Sequence, residues 1–124
     1  MKTCLVIDDS RVIRKVTCRI LQDLSFETLE AENGAAALMI CRQKMPDAVL
    51  LDWSGPPLTG IDFLKALRGQ TRGNHPVVVL CTTENDASRI SEALEAGADE
   101  FVIKPFDREI LEAKLMEVGL VEPR

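Results

Sequence analysis

Short apolar runs alternate along the chain with longer amphipathic stretches. Cys4-Leu5-Val6-Ile7, Ala48-Val49-Leu50-Leu51 and Val77-Val78-Val79-Leu80-Cys81 are continuously apolar, and the Ala48 to Leu51 run reads as a strand buried on both faces of a sheet. Phe101-Val102-Ile103 is a fourth run of this kind. Phe26 to Ala31 mixes Phe26, Thr28 and Leu29 with Glu27 and Glu30, the pattern of a half-exposed strand near a sheet edge. Five helical stretches lie between and after them. The first is capped by Ser10 and carries Val12, Ile13, Val16, Ile20, Leu21 and Leu24 on one face, with Arg11, Arg14, Lys15 and Arg19 elsewhere. The second runs from Ala35 to Lys44, opened by Asn33-Gly34 and closed by Pro46. The third runs from Ile61 to Arg68, with Phe63, Leu64 and Leu67 at helical spacing, between the loop Trp53 to Gly60 and the connection Gly69 to Asn74. Asn85 or Asp86 caps the fourth, which continues through Ala96 to the terminator Gly97. Asp107 caps the fifth, Arg108 to Val118, with Ile110, Leu111, Leu115 and Val118 as its buried stripe.

Taken singly, each short apolar run fits a buried strand or a helix fragment equally well; their regular alternation with helices selects strands. Five βα units joined by right-handed crossovers make an α/β fold, a five-stranded parallel sheet with helices on both faces. The 124 residues form one domain, 1–124, large enough to bury a core without disulfide or metal staples.

Composition narrows the class. A net charge of −5 with scattered Lys and Arg argues against nucleic-acid binding, which needs a clustered basic patch. Met1-Lys2-Thr3 precedes only a short apolar run ending in two aspartates, so a secretory leader is not expected, and no apolar stretch reaches the length of a membrane span. A cytoplasmic, monomeric protein is the expectation. Cys4, Cys18, Cys41 and Cys81 lack paired spacing and read as buried small hydrophobes. His75, the only histidine, lies in a turn-like stretch without a partner for metal binding.

The candidate chemistry sits where the strands stop. The first strand ends at Asp8-Asp9, the third at Asp52, the fourth at Thr82-Thr83 and the fifth at Lys104-Pro105. In a sheet of order 2-1-3-4-5 these four endings are neighbours at the edge where open α/β sheets bind ligands. One strand-ending aspartate is usually only a helix cap; four reactive endings side by side are hard to explain as independent caps. Crowded carboxylates repel one another, and a hard divalent cation, Mg²⁺ or Mn²⁺, relieves that repulsion while keeping several waters. Asp9 and Asp52 are the expected direct ligands, Asp8 a direct or water-mediated one, and the Ser54 carbonyl a further oxygen. Asp52 keeps an oxygen for attack on phosphorus, Lys104 supplies a positive charge to the phosphoryl oxygens, and the Thr82 hydroxyl donates to another.

Through these residues the whole chain resembles a bacterial response-regulator receiver domain of the stand-alone chemotaxis type. The run Cys81-Thr82-Thr83-Glu84-Asn85-Asp86 and Lys104-Pro105-Phe106-Asp107 carry the likeness furthest. The resemblance implies that Asp52 accepts phosphate from a histidine kinase, that Asp8 and Asp9 form the Mg²⁺ pocket, that Thr82 is the switch hydroxyl and that Lys104 binds phosphate. It also implies Phe101 as switch aromatic, Ser54 and Glu84 as rate-modulating neighbours of the phosphate, and a cis Lys104-Pro105 bond. One departure is Asp52-Trp53-Ser54-Gly55-Pro56-Pro57, where most receivers carry Met-Pro after two intervening residues. Gly55 removes a side chain and the prolines stiffen the loop, so altered phosphorylation kinetics are expected.

With no room after the fifth helix for an output domain, the output is expected to be binding. The expected partner is a flagellar motor switch component or another regulator, docking on the face of helix 4, strand 5 and helix 5. The chain would then be no enzyme beyond its own phosphoryl transfer and autodephosphorylation. The alternatives are a phosphate sink without an output, an aspartate-nucleophile phosphatase and a flavodoxin-like cofactor binder. Against the phosphatase, Ser54 stands where such enzymes need a second carboxylate; against the cofactor binder, Asp8-Asp9-Ser10 replaces a phosphate-cradling glycine loop.

Overall fold

A computed structural model describes residues 1–52, 60–82 and 87–122. Its strands are β1 (Thr3–Asp8), β2 (Glu27–Ala31), β3 (Ala48–Asp52), β4 (Val77–Thr82) and β5 (Glu100–Ile103). The helices are α1 (Arg11–Asp23), α2 (Gly34–Gln43), α3 (Gly60–Arg68), α4 (Ala87–Ala96) and α5 (Arg108–Glu117). All four strand pairings are parallel, in the order β2-β1-β3-β4-β5. The mixed segment is the edge strand β2 and the apolar β1, β3 and β4 lie inside, but the apolar run of β5 forms the other edge and is fully buried only at Val102.

Alternate residues of each strand feed two cores. Leu5, Ile7, Val49, Leu51, Val78 and Leu80 pack with Phe63, Leu64 and Leu67 of α3, with Ala37 and Cys41 of α2 and with Ala93 of α4. Cys4, Val6, Leu50, Val79, Cys81 and Val102 pack on the other face with Cys18 and Leu21 of α1 and Leu111 and Leu115 of α5. Each leucine so buried contributes roughly 2 kcal/mol relative to exposure. The four cysteines are free and buried, which fits their reading as small hydrophobes.

Two helical faces differ from the expected ones. On α1 the buried residues are Thr17, Cys18 and Leu21, whereas Val12 is 70% and Val16 55% exposed and Ile13 is also exposed. The helix is therefore turned by about 100°, one residue's step, from the orientation its apolar stripe predicts. Arg14, on the side read as polar, is turned inward instead. On α5, Ile110 is exposed, and Leu111 and Leu115 alone form the fully buried stripe. Ser10, Asn33 and Asp107 do cap their helices, each accepting a hydrogen bond from the main-chain N–H three residues on. The caps predicted at Asn85 or Asp86 lie outside the described residues.

At the opposite edge from the strand endings, Asp47 ties three strand beginnings together. Its carboxylate accepts from the Thr3 N–H at 2.8 Å and lies 2.9 Å from His75 Nε2, and its carbonyl accepts from the Val77 N–H at 3.0 Å. His75 thus has a structural partner that the sequence did not disclose. The hydrogen bonds from His75 and from the Thr3 N–H hold the Asp47 carboxyl below its ordinary value.

Candidate functional site

Parallel register brings the strand endings together. Asp8 is the register partner of Asp52 across β1 and β3, and Thr82 that of Ile103 across β4 and β5. The Lys104 N–H then donates to the Thr82 carbonyl at 2.7 Å, which anchors the residue after β5 to the end of β4. From there the Lys104 ammonium crosses to Asp52, with Nζ 2.5 Å from Oδ2. The Lys104-Pro105 bond is cis.

Asp8 is buried and faces Asp52. Burial, followed by the hydrogen-bonded Asp52 carboxyl, pushes Asp8 up from 3.8 to about 6; the Ser10 N–H, which donates to Oδ1 at 2.9 Å, pulls the other way. Burial would lower Lys104, but the hydrogen bond it donates to Asp52, together with the charges of Asp52 and Asp8, outweighs burial and holds the ammonium above its ordinary value. Asp9 follows Asp8 at the sheet edge and is exposed. Thr82 is 3% exposed, and its hydroxyl oxygen has no hydrogen-bond partner among the described residues. A buried hydroxyl left unsatisfied costs about 1–3 kcal/mol, so Thr82 is poised for a ligand oxygen. Behind Asp52, a cavity of about 30 Å³ is bounded by Asp8, Thr17, Cys81, Lys104 and Phe106.

Farther out, Phe101 is half-buried in β5, and the Lys114 ammonium of α5 lies 5.6 Å from its ring centroid. Ser54 and Glu84, with Trp53, Gly55, Pro56 and Pro57, lie outside the described residues. Sequence reasoning missed two neighbours of the site, Arg14 and Glu30. Arg14 Nη1 donates to the Asp8 carbonyl at 2.7 Å, and its Nε pairs with Glu30 at 3.1 Å. The only hint was a basic residue amid an apolar-rich helix, and the turned α1 face gives that hint its meaning.

The donor set suits a small hard cation. No three carboxylate, imidazole or thiol side chains converge as a closed metal site among the described residues. Two facing carboxylates with solvent access beside them nevertheless meet the needs of Mg²⁺, which retains much of its water shell. Asp8 holds its proton more readily than an isolated carboxylate would, and a divalent cation would displace that proton.

The raised Asp8 sets a pH dependence. Between about pH 4 and pH 6 the folded chain protonates Asp8 while the unfolded carboxyl is still ionised, so folding binds protons and gains stability as pH falls. Without divalent cation, the unfolding midpoint should rise from about pH 7 to pH 5 through this group. Subtracting the profile of Asp8→Asn isolates its contribution, and identical profiles for the two proteins would contradict the assignment.

Residues 4–116 match the family model described as the response regulator receiver domain. The chain is 36% identical over 115 residues to the chemotaxis protein CheY of Pseudomonas aeruginosa, covering 92% of this chain and 93% of that one. Among solved structures it superposes on the chemotaxis protein CheY4 of Vibrio cholerae with a TM-score of 0.88 at 32% identity, covering 95% of this chain and 98% of the other. The receiver domain of a sensor histidine kinase of Pseudomonas aeruginosa, solved with a magnesium ion in its active-site cleft, shares the fold at a TM-score of 0.84. That likeness is 24% identical and covers 94% of this chain and 95% of the other. The strand order, the residues that close the strands and a family match spanning nearly the whole length agree: this chain belongs to the response regulator receiver domain family.

Proposed function

We propose that the protein is a phosphorylation-dependent switch of a two-component pathway, serving chemotaxis or motility as its CheY relatives' names indicate, and acting in the cytoplasm. The observation that carries this is Asp52 itself, a carboxylate flanked by a second carboxylate and capped by a lysine ammonium at the ligand-binding edge of the sheet. An Asp52 carboxylate oxygen attacks the phosphorus of a phosphohistidine on the partner kinase. The P–N bond breaks as the acyl-phosphate P–O bond forms, and the imidazole leaves with a proton from solvent. Asp8, Asp9, Asp52 and the Ser54 carbonyl would hold Mg²⁺, which would supply charge neutralisation for the phosphoryl oxygens.

Lys104 moves its charge from the Asp52 carboxylate to a phosphoryl oxygen, and the unpartnered Thr82 hydroxyl donates to another. Inward movement of Thr82 opens space for the Phe101 ring, coupling the acceptor to the face of α4, β5 and α5. Ser54 and Glu84 tune the rates. On this reading the chain catalyses only its own phosphorylation and dephosphorylation, works as a monomer and signals by binding a target such as a flagellar motor switch component.

The function is tested by immobilising the protein with and without prior treatment by a small-molecule phosphodonor and Mg²⁺, then comparing what each captures. A switch gains a partner on phosphorylation. Phosphorylation without any gained partner would identify a phosphate sink.

A further inference from the structure

Glu30 of the edge strand β2 pairs in register with Val6 of β1, two residues before Asp8. Its two carboxylate oxygens are divided between two cations, Arg14 Nε at 3.1 Å and Lys15 Nζ at 2.7 Å. Those two bonds, from Lys15 and from Arg14, hold Glu30 below its ordinary value despite partial burial, so it is fully ionised at neutral pH. The two cations are not equivalent. The Arg14 side chain is 13% exposed and the Lys15 side chain 58% exposed, so only the guanidinium is turned toward the site.

There, Arg14 donates not to a carboxylate but to the neutral main-chain carbonyl of Asp8. Its Nε stays on the Glu30 carboxylate while Nη1 takes that carbonyl, although the Asp8 carboxylate, a stronger partner for a guanidinium, belongs to the same residue. We propose that Glu30 is a positioning residue for the acidic pocket: it parks the Arg14 guanidinium on the Asp8 carbonyl and so keeps an internal cation off the carboxylates that a divalent cation binds. This rests on the reading of Asp8 and Asp52 as a Mg²⁺ pocket. The clamp also braces the turn between β1 and α1, as does the Ser10 N–H by donating to Asp8 Oδ1.

If Glu30 loses its charge, the guanidinium is released within reach of Asp8 and competes with Mg²⁺. Titration calorimetry with MgCl₂ at fixed ionic strength tests this on the full chain. Glu30→Gln should weaken Mg²⁺ binding about tenfold, the scale of one partly exposed charge pair, and Glu30→Asp should stay within about threefold of wild type. Two double variants separate parking from net charge. Glu30→Gln with Arg14→Gln should regain most of the lost affinity, whereas Glu30→Gln with Lys15→Gln, of identical net charge, should remain weak. Thermal unfolding in a chelator confirms that each variant is folded. Equal recovery in both doubles, recovery in neither, or wild-type affinity in Glu30→Gln overturns the proposal. A wild-type protein that binds no Mg²⁺ would instead overturn the metal-pocket reading on which it rests.

Discussion

Asp52→Asn is expected to reduce phosphoryl uptake from a small-molecule phosphodonor to background while leaving the fold intact. An amide is nearly isosteric with the carboxylate but cannot form an acyl phosphate, so the covalent step is lost outright. The fold should persist because Asp52 lies at the end of β3, outside both apolar cores. Local effects are opposed. The variant removes the carboxylate that pushes Asp8 upward, and it leaves the Lys104 ammonium without its 2.5 Å charged partner. Mg²⁺ affinity should fall as well, through loss of one anionic ligand, and the Asp8 pH dependence should shrink. Intact mass after phosphodonor treatment reads the first effect and calorimetry the second. A phosphoryl adduct of wild-type yield on Asp52→Asn would remove Asp52 from its role.

The second large effect is structural and lies at the other end of the sheet. Arg68, the last residue of α3, is largely buried and donates to three main-chain carbonyls: Gly73 at 2.9 Å, Pro76 at 2.8 Å and Gly97 at 2.7 and 3.1 Å. It also meets Asp99 Oδ2 at 3.0 Å, the same oxygen that accepts from the Val78 N–H. One guanidinium thus joins the α3–β4 connection to the α4–β5 turn. The turn is shaped to admit it: Gly97 has φ +122°, and a Cβ there would lie 2.8 Å from Arg68 Cγ. Arg68→Ala strands these carbonyls and should cost about 3 kcal/mol, lowering the unfolding midpoint by about 10 °C. Lysine should not rescue it, having no fork to span the carbonyls. Arg19→Ala, which removes an exposed pair at 3.8 Å, should cost less than about 0.5 kcal/mol and serves as the control. Equal losses for the two variants would contradict the staple.

These two residues mark what a sequence discloses. Asp52 was legible because it interrupts a continuously apolar run, and the same contrast exposes Asp8, Thr82 and Lys104. Strand order comes from the known doubly-wound arrangement and not from the residues themselves, and with it the meeting of residues far apart in the chain. Arg68 was not legible, since its role consists of three carbonyls presented by two connections that take shape only in the folded chain. Nor was the orientation of α1. The expected stripe of Val12, Ile13, Val16, Ile20, Leu21 and Leu24 places Leu21 rightly but misses Thr17 and Cys18, because periodicity counts apolar residues and does not see that Arg14 has partners inside. Ile110 misled for the same reason: one apolar residue beside a buried stripe is a common exposed position.

The central claim is that the strand endings form one Mg²⁺-dependent acceptor site whose nucleophile is Asp52. The most direct measurement treats the protein with a small-molecule phosphodonor in Mg²⁺ or in chelator, reduces acyl phosphate with borohydride and maps the modified peptide. One reduced residue, at position 52, is expected in Mg²⁺ and none in chelator. No modification, modification at another carboxylate, or equal yield in chelator would contradict it.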